Sequence, residues 1–215
     1  MGQPEFWLIA GPNGAGKTTL VSAGGVPDHV HLVNPDDVTL RLLREEGFKT
    51  FSNVPKPLLK ELNIRAAELA FADLRNRVAR NQPVAVETVL STDKYTPLVA
   101  EVLKRRGQFN FIYVALSSSR ISQTRIANRV RLGGHDVPAD KLMARWQRSL
   151  ENLPVFASKA SHFWIFDNSD SDESVSPPMI ATGGRGLLIT LRPDVNRAAT
   201  RSLVESPLFS HKVAL

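Results

Sequence analysis

Short apolar runs recur along the chain, and segments with a helical pattern separate them. The runs have the length of strands and lie at 5–10, 30–33, 84–86, 109–116 and 162–166. The helical patterns lie at 17–23, 36–46, 56–80, 94–106, 119–131 and 139–152. Strands that alternate with helices predict a parallel sheet covered by helices on both faces. We therefore predict an α/β fold with a parallel sheet of about five strands.

The composition changes after residue 169. The stretch SDSDESVSPP is polar and contains prolines, which is typical of a loop or linker. Beyond it, 186–193 has the pattern of an edge strand and 194–204 that of a short terminal helix. We therefore predict a core over 1–170, followed over 171–215 by a linker with a small strand and helix extension.

The sequence IAGPNGAGKTTL, residues 9–20, follows the first predicted strand and opens the first predicted helix. Its spacing, G-x-x-x-x-G-K-[ST], is that of a phosphate-binding loop, or P-loop. Such a loop turns backbone N–H groups toward an anion at a helix N-terminus. Lys17 would then reach the β- and γ-phosphates of ATP, and the Thr18 hydroxyl would ligate Mg²⁺. We predict a P-loop NTPase fold whose ATP contacts are Gly11, Pro12, Asn13, Gly14, Ala15, Gly16, Lys17, Thr18 and Thr19.

Composition narrows the class of protein. No apolar run approaches the roughly 20 residues that span a bilayer, the N-terminus has no signal-peptide pattern, and the chain has no cysteine. These features predict a cytoplasmic protein without a membrane partner.

The net charge is +6, and six arginines lie in the segment from Arg120 to Arg148. Because the positive charge is concentrated in one segment, it favours a local anion site over a nucleic-acid surface.

Two predicted strands are followed by carboxylates. In VNPDDV, Asp36 or Asp37 could cap the next helix, or one of them could accept a proton from an attacking hydroxyl. In VAVETVLS, Glu87 could activate water, support Mg²⁺, accept a hydrogen bond from a substrate hydroxyl, or favour a helix N-terminus. Asp167, in FWIFDNS, follows an apolar run as a Mg²⁺-binding aspartate does, but Asp-Asn-Ser is equally a turn. We do not assign Asp167 to the metal.

The segment 125–153 is rich in arginine and helical in pattern. Arg125 and Arg129 are four residues apart on one helix, and Arg145 and Arg148 are three apart on the next. Gly133-Gly134 would be a hinge between the two helices. This arrangement predicts a helical arginine lid, at about 119–152, that closes over a triphosphate. The alternative is a solvated basic helical hairpin. His135 is interpreted as a hinge or packing residue rather than a metal ligand.

With the loop, NPDD, ETVLS and RVRLGGHDVP in this order, residues 5–169 resemble the zeta-toxin family of P-loop kinases. The resemblance implies an enzyme that transfers the γ-phosphate of ATP to a hydroxyl of UDP-N-acetylglucosamine. It also implies a toxin–antitoxin system with an antitoxin protein as partner. The chain is most similar to the short branch of the family described as predicted ATPases.

The resemblance also implies roles for individual residues. Lys17 and Thr18 match the loop residues, Asp36 matches the general base, and Glu87, with Thr88 beside it, matches the acidic residue that binds the substrate. The lid arginines fall at Arg129 or Arg131 and at Arg145 or Arg148.

The chain departs from the family after Glu87, where ETVLSTDK offers Ser91 and Lys94 in place of a substrate-binding arginine. Two alternatives to the sugar-nucleotide kinase therefore stay open. One is a kinase for another acceptor, such as a dinucleotide, an antibiotic or a nucleic-acid end. The other is a non-catalytic ATP-binding regulatory module.

Overall fold

A computed structural model of the chain describes residues 2–132, 137–170 and 176–209. Its strands are β1 (Glu5–Ala10), β2 (His31–Val33), β3 (Val84–Thr88), β4 (Gln108–Ala115), β5 (His162–Asp167), β6 (Met179–Gly184) and β7 (Leu187–Leu191). Its α-helices are α1 (Lys17–Leu20), α2 (Pro35–Glu45), α3 (Lys56–Ala79), α4 (Thr96–Lys104), α5 (Ser119–Arg131), α6 (Ala139–Lys159) and α7 (Arg197–Val204). A π-helical turn, Val21–Gly25, extends α1.

All seven strands form one sheet in the order β2-β3-β1-β4-β5-β6-β7. The first five pair in parallel, and β6 and β7 are antiparallel. The strand that leads into the P-loop, β1, therefore lies between β3 and β4, where the connections diverge to opposite sides. Ligands of open parallel sheets bind in the crevice that forms at such a point. The α/β P-loop fold predicted from the sequence is confirmed.

Apolar side chains cover both faces of the parallel strands. On one face, Phe6 and Leu8 of β1 and Phe111 of β4 belong to a core that includes residues of α3, α4, α6 and α7. On the other face, Trp7 and Ile9 belong to a smaller cluster with residues of β4. Because β1, β3 and β4 are buried on both sides, they are continuous apolar runs in the sequence.

The sheet has two strands beyond the five parallel ones, and the sequence pattern predicts one of them. The edge strand predicted at 186–193 is β7, the terminal helix predicted at 194–204 is α7, and β6 was not predicted. The sequence of β6 ends in Gly183-Gly184, which weakens a strand pattern. A Cβ at Gly183 would collide with the ring of Phe163 and the carbonyl of Leu187, so the close approach requires glycine.

The residues after 170 contribute to the main core as well as to the sheet. Ile180 and Leu188 of the antiparallel strands and Leu203 of α7 are buried in the same core as β1 and β4. The division into a core and an extension at about residue 170 stays a prediction. The start of the predicted linker, 171–175, lies outside the described residues.

Helix α6 continues to Lys159, although the sequence predicts its end near residue 152. Pro154 lies inside the helix and cannot donate to the carbonyl of Leu150, four residues earlier. The hydroxyl of Ser202, on α7, donates to that carbonyl at 2.7 Å instead. A tertiary contact therefore supplies the partner that proline removes, and the helix runs on.

The predicted hinge between α5 and α6, with Gly133, Gly134 and His135, lies outside the described residues. Within the described part of the chain, no helix combines the length and the apolar composition needed to cross a membrane.

Candidate functional site

The P-loop joins β1 to α1 through glycines that other residues could not replace. Gly11 has φ +142°, and a Cβ there would collide with the carbonyl oxygen of Val114 on β4. Gly16 has φ +86° and is the N-cap residue of α1. The N–H of Ala15 donates to the carbonyl of Pro12 at 3.2 Å and closes the turn. The backbone path of the loop therefore depends on glycine at these two positions.

The side chain of Lys17 lies folded back over the loop. Its Nζ donates to the carbonyls of Gly11 at 2.9 Å and Pro12 at 3.2 Å. The pKa of Lys17 is lowered to about 8, chiefly by burial of the ammonium group and to a smaller extent by Arg129, while the carboxylates of Glu87 and Asp36 oppose the shift. Three other predicted site residues therefore lie within electrostatic range of Lys17.

Thr18 and Glu87 are in direct contact. The Thr18 hydroxyl donates to Glu87 Oε2 at 3.0 Å, which joins the P-loop to the end of β3. Glu87 is 8% exposed, and among the described residues its Oε1 has no hydrogen-bond partner. Burial raises the pKa of Glu87, against the effects of Lys17 and the Thr18 hydrogen bond; Asp36 and Asp37 raise it further.

These side chains fit a magnesium ion carried by a nucleotide. Mg²⁺ in phosphate-transfer sites uses one or two protein groups and completes its shell with phosphate oxygens and water. No cluster of three or more acidic or histidine side chains that could hold a metal occurs among residues 2–132, 137–170 and 176–209. The Thr18 hydroxyl, held by Glu87 with its unpartnered oxygen, supplies the groups that such an ion needs.

The turn after β3 is held by side chains. Leu90 is buried and has φ +60°, an uncommon conformation for a residue with a branched side chain. The Thr88 hydroxyl oxygen accepts a hydrogen bond from the Leu90 N–H at 3.1 Å, and Asn152 of α6 donates to the Leu90 carbonyl at 2.9 Å. Thr88, which the sequence predicts to bind substrate, thus also shapes the turn that follows Glu87.

Asp36 and Asp37 are not the helix cap. The N-cap of α2 is Asn34, whose Oδ1 accepts a hydrogen bond from the Asp36 N–H at 3.0 Å. The interpretation that either aspartate caps the helix is wrong, because the chain enters the helix earlier, at Pro35. Both aspartates lie exposed in the first turn, where the helix dipole favours negative charge.

A cleft of about 550 Å³ lies beside Asp37, between the free edge of β2 and helices α2 and α3. This volume is within the range of small-molecule sites. Charged side chains from both helices line the cleft, including Asp37 and Arg41 of α2 and Asp73 and Arg77 of α3. It is therefore a polar space beside Asp37, which follows the predicted general base, Asp36, in the sequence.

The arginines of the predicted lid have different environments. Arg129 acts on the pKa of Lys17 and so lies near the loop. Arg131 and Arg148 are exposed, and Arg145 is half-buried. Within the described ranges, Arg131, Arg145 and Arg148 make no hydrogen bond or ion pair. The structure therefore brings Arg129 to the loop and leaves the other three at a helix surface.

Among the described residues, three side chains that the sequence did not predict to bind ATP or substrate contact the loop. Ser122 and Arg125 of α5 and Asn168, after β5, donate to loop carbonyls. The sequence indicated Arg125 as part of the lid but gave no signal for Ser122. The neighbouring Asp167, the last residue of β5, accepts hydrogen bonds from Asn196 and Ser169.

No protein-family model and no curated protein matches this chain. Among solved structures, the AvrRxo1-ORF1:AvrRxo1-ORF2 complex with sulphate ions is similar, with a TM-score of 0.67 and 14% identity over 95% of this chain and 66% of that one. A second crystal structure of that complex, with ATP, has a TM-score of 0.60 and 16% identity over 86% and 60%. A structure from the PezAT chromosomal toxin–antitoxin system of Streptococcus pneumoniae has a TM-score of 0.58 and 14% identity over 78% and 69%.

These similarities show that the chain shares the fold of the AvrRxo1 and PezAT structures, in agreement with the P-loop fold that the motifs indicate. The chain spans 66% or less of the AvrRxo1 chains that it matches. At identities of 14–16% the likeness concerns the fold, so activity, acceptor and partners have to be argued from this chain's own residues.

Proposed function

We propose that the protein is an ATP-dependent small-molecule kinase of zeta-toxin type, which transfers the γ-phosphate to a hydroxyl of a sugar nucleotide such as UDP-N-acetylglucosamine. The observation that carries the proposal is the junction of three elements at one edge of the sheet. Thr18 of the loop contacts Glu87 of β3, and Lys17 lies within electrostatic range of Asp36 on α2. A phosphate site, a metal-supporting carboxylate and an exposed carboxylate thus face one region.

On the nucleotide side, each residue has a distinct task. Backbone N–H groups of the loop bind the phosphates, and Lys17 moves its ammonium group from the carbonyls of Gly11 and Pro12 to the β- and γ-phosphates. Thr18 would ligate the Mg²⁺ of the nucleotide, and this ion would neutralise phosphate charge there. Glu87 holds the Thr18 hydroxyl through Oε2 and has Oε1 left to accept from a metal-bound water or from the acceptor.

On the acceptor side, Asp36 accepts the proton of the attacking hydroxyl. Its carboxylate is exposed and is not used as a helix cap, so it is available for this task. The cleft beside Asp37 gives the remainder of the acceptor a polar space next to the reacting hydroxyl. Glu87 and Thr88, at the end of β3, would contact the acceptor.

Arg129, Arg131, Arg145 and Arg148 would act on the transferring phosphoryl group. Positive charge that arrives with a closing lid stabilises the charge that spreads over the phosphoryl oxygens. Lid closure also excludes water, which would otherwise hydrolyse ATP. An antitoxin that covers the site is the partner we propose, since the similar PezAT structure belongs to a toxin–antitoxin system.

The test is ATP consumption by the purified protein with Mg²⁺, with and without UDP-N-acetylglucosamine, with Lys17→Ala as the inactive control. We expect ADP and a phosphorylated sugar nucleotide to form in equal amounts, only when the acceptor is present. If turnover requires a dinucleotide, an antibiotic or a nucleic-acid end instead, the protein is a kinase, but for that acceptor and not for the sugar nucleotide. ATP binding without turnover on any acceptor would indicate a regulatory module and overturn the proposal.

A further inference from the structure

The outward-facing carbonyls of the P-loop are each held by a side chain from elsewhere in the chain. The carbonyl of Asn13 accepts from Ser122 Oγ at 2.6 Å, that of Gly14 from Arg125 Nη1 at 3.2 Å, and that of Ala15 from Asn168 Nδ2 at 2.8 Å. Three consecutive peptide groups are therefore bound from outside. We refer to Ser122, Arg125 and Asn168 as the carbonyl clamp.

A held carbonyl determines the direction of the N–H in the same peptide group. In a planar trans peptide the C=O and the following N–H point in opposite directions. The bonds from Ser122 and Asn168 therefore direct the N–H groups of Gly14 and Gly16 to the side opposite the clamp, where the phosphates of a nucleotide bind. In the middle peptide group, the N–H of Ala15 donates to Pro12 and closes the turn.

The clamp is itself anchored. Arg125 also donates, through Nη2, to the carbonyl of Asp170 at 2.6 Å, which ties α5 to the segment after β5. The backbone N–H of Asn168 donates to the carbonyl of Ala115 at the end of β4. Ser122 is fully buried. The first half of α5 is thus fixed to the loop and to the sheet.

The fit between clamp and loop leaves little space. A Cβ at Gly14 would lie 3.1 Å from the Cβ of Arg125, and a Cβ at Gly16 would collide with the amide of Asn168. The backbone of the loop packs directly against the side chains of the clamp, so a substitution in the clamp should change the conformation of the loop.

We infer that Ser122, Arg125 and Asn168 are positioning residues that hold the phosphate cradle in its binding conformation. This inference rests on the proposed function. It also limits the part of α5 that can belong to the lid. Arg125 belongs to the fixed cradle, so any part of α5 that moves with the lid begins after it. An anion that enters a preorganised loop does not have to order it, and affinity is higher for that reason.

The experiment measures binding of inorganic tripolyphosphate, which contacts the cradle but has no base or ribose. Isothermal titration calorimetry on Ser122→Ala, Asn168→Ala and the double variant is compared with the wild type. We expect each single variant to bind about 3- to 10-fold more weakly, as the loss of one hydrogen bond implies. The double variant should bind 10-fold to 100-fold more weakly. Thr124→Ala and Asn128→Ala, on the outer side of the same helix, are the matched controls and should bind as the wild type does.

If a clamp residue had only a structural role, its substitution would lower stability but would leave the cradle intact in the protein that still folds. The thermal midpoint of each ligand-free variant is therefore measured at the same time, and affinities are compared only between folded proteins. Wild-type affinity in the folded double variant would overturn the inference; if it does not fold, either folded single variant decides. If the wild type itself fails to bind tripolyphosphate, the proposed nucleotide site is wrong, and this result is distinguishable because it needs no variant.

Discussion

The two sides of the candidate site differ in how tightly the protein holds them. On the nucleotide side, Lys17 donates to two loop carbonyls, Thr18 is bonded to Glu87, and Glu87 is buried. On the acceptor side, Asp36 and Asp37 are exposed in the first turn of α2, beside an open polar cleft. One side is held together by hydrogen bonds within the protein, and the other is an exposed surface.

In the proposed kinase the difference follows from what each side would bind. Every ATP-dependent kinase binds the same triphosphate group, so a rigid cradle lowers the entropy lost on binding. An acceptor has to be recognised together with its remote groups, and the side chains that do this lie on helices and loops around the cleft. Substitutions on the acceptor side should therefore change turnover without changing stability, while substitutions on the nucleotide side should change both.

The largest effect is expected at Asp36. Asp36→Asn removes the proton acceptor while it keeps the size of the side chain, so transfer should fall by roughly 10²- to 10⁴-fold. ATP affinity and thermal midpoint should stay near the wild-type values, because Asn34 and not Asp36 caps the helix. The matched control is Asp37→Asn, which should have a mild effect. If Asp36→Asn kept full activity and Asp37→Asn lost it, the general base would be Asp37.

The lid arginines should come next. Neutralising Arg145 or Arg148 removes charge from the transition state, and the turnover number should fall on the order of 10³-fold, as for arginine fingers. ATP affinity in the ground state should change much less. Neither side chain makes a hydrogen bond or ion pair within the described ranges, so unfolding should be unaffected. Equal losses in turnover and affinity would indicate a static binding patch.

A smaller effect is expected at Glu87. In Glu87→Gln the Thr18 hydroxyl loses its carboxylate partner, and the Mg²⁺ concentration needed for half-maximal activity should rise about 10- to 100-fold. Because burial raises the pKa of Glu87, the folded state favours the protonated form, and the carboxylate lowers stability at pH 7. Glu87→Gln should therefore raise the thermal midpoint at pH 7, and the gain should shrink as the pH falls. Glu61→Gln, on the exposed face of α3, is the control and should change neither quantity.

The smallest effect is a dependence on pH through Lys17. Its pKa of about 8 in the ligand-free protein means that the ammonium group loses its proton as the pH rises above that value. Affinity for ATP should be constant below pH 8 and should fall above it, by no more than about tenfold per pH unit. Calorimetry at pH 9 in buffers of different ionisation enthalpy should detect proton uptake on binding.

Lys17→Met supplies both a control and a second measurement. The variant should bind ATP more weakly and without the change above pH 8. Because the folded pKa lies below the unfolded value, the unfolded chain binds more protons between pH 8 and 10.5, and wild-type stability rises across this window. Lys17→Met should therefore be more stable than the wild type at pH 7, and the difference should disappear toward pH 10.5. A variant less stable at pH 7 would contradict the cause assigned to the shift.

The sequence by itself determined the strand–loop–helix unit around Lys17, because glycine spacing and helix start are local properties of the backbone. It also determined the five parallel strands, since a strand buried on both faces has to be apolar throughout. It did not reveal β6, whose glycines accommodate Phe163 and a neighbouring carbonyl, nor the continuation of α6 through Pro154, which depends on Ser202 52 residues away from its acceptor.

Only the tertiary structure decided the partners within the site. The sequence left Glu87 with four roles, and the bond from Thr18, 69 residues away, joins it to the P-loop. It offered two caps for α2, and the structure uses a third residue, Asn34. It gave no sign that Asn168 holds the loop, because a single asparagine after a strand reads as a turn. Contacts between distant segments leave no periodic pattern in a sequence, and the partners of the phosphate loop are contacts of that kind.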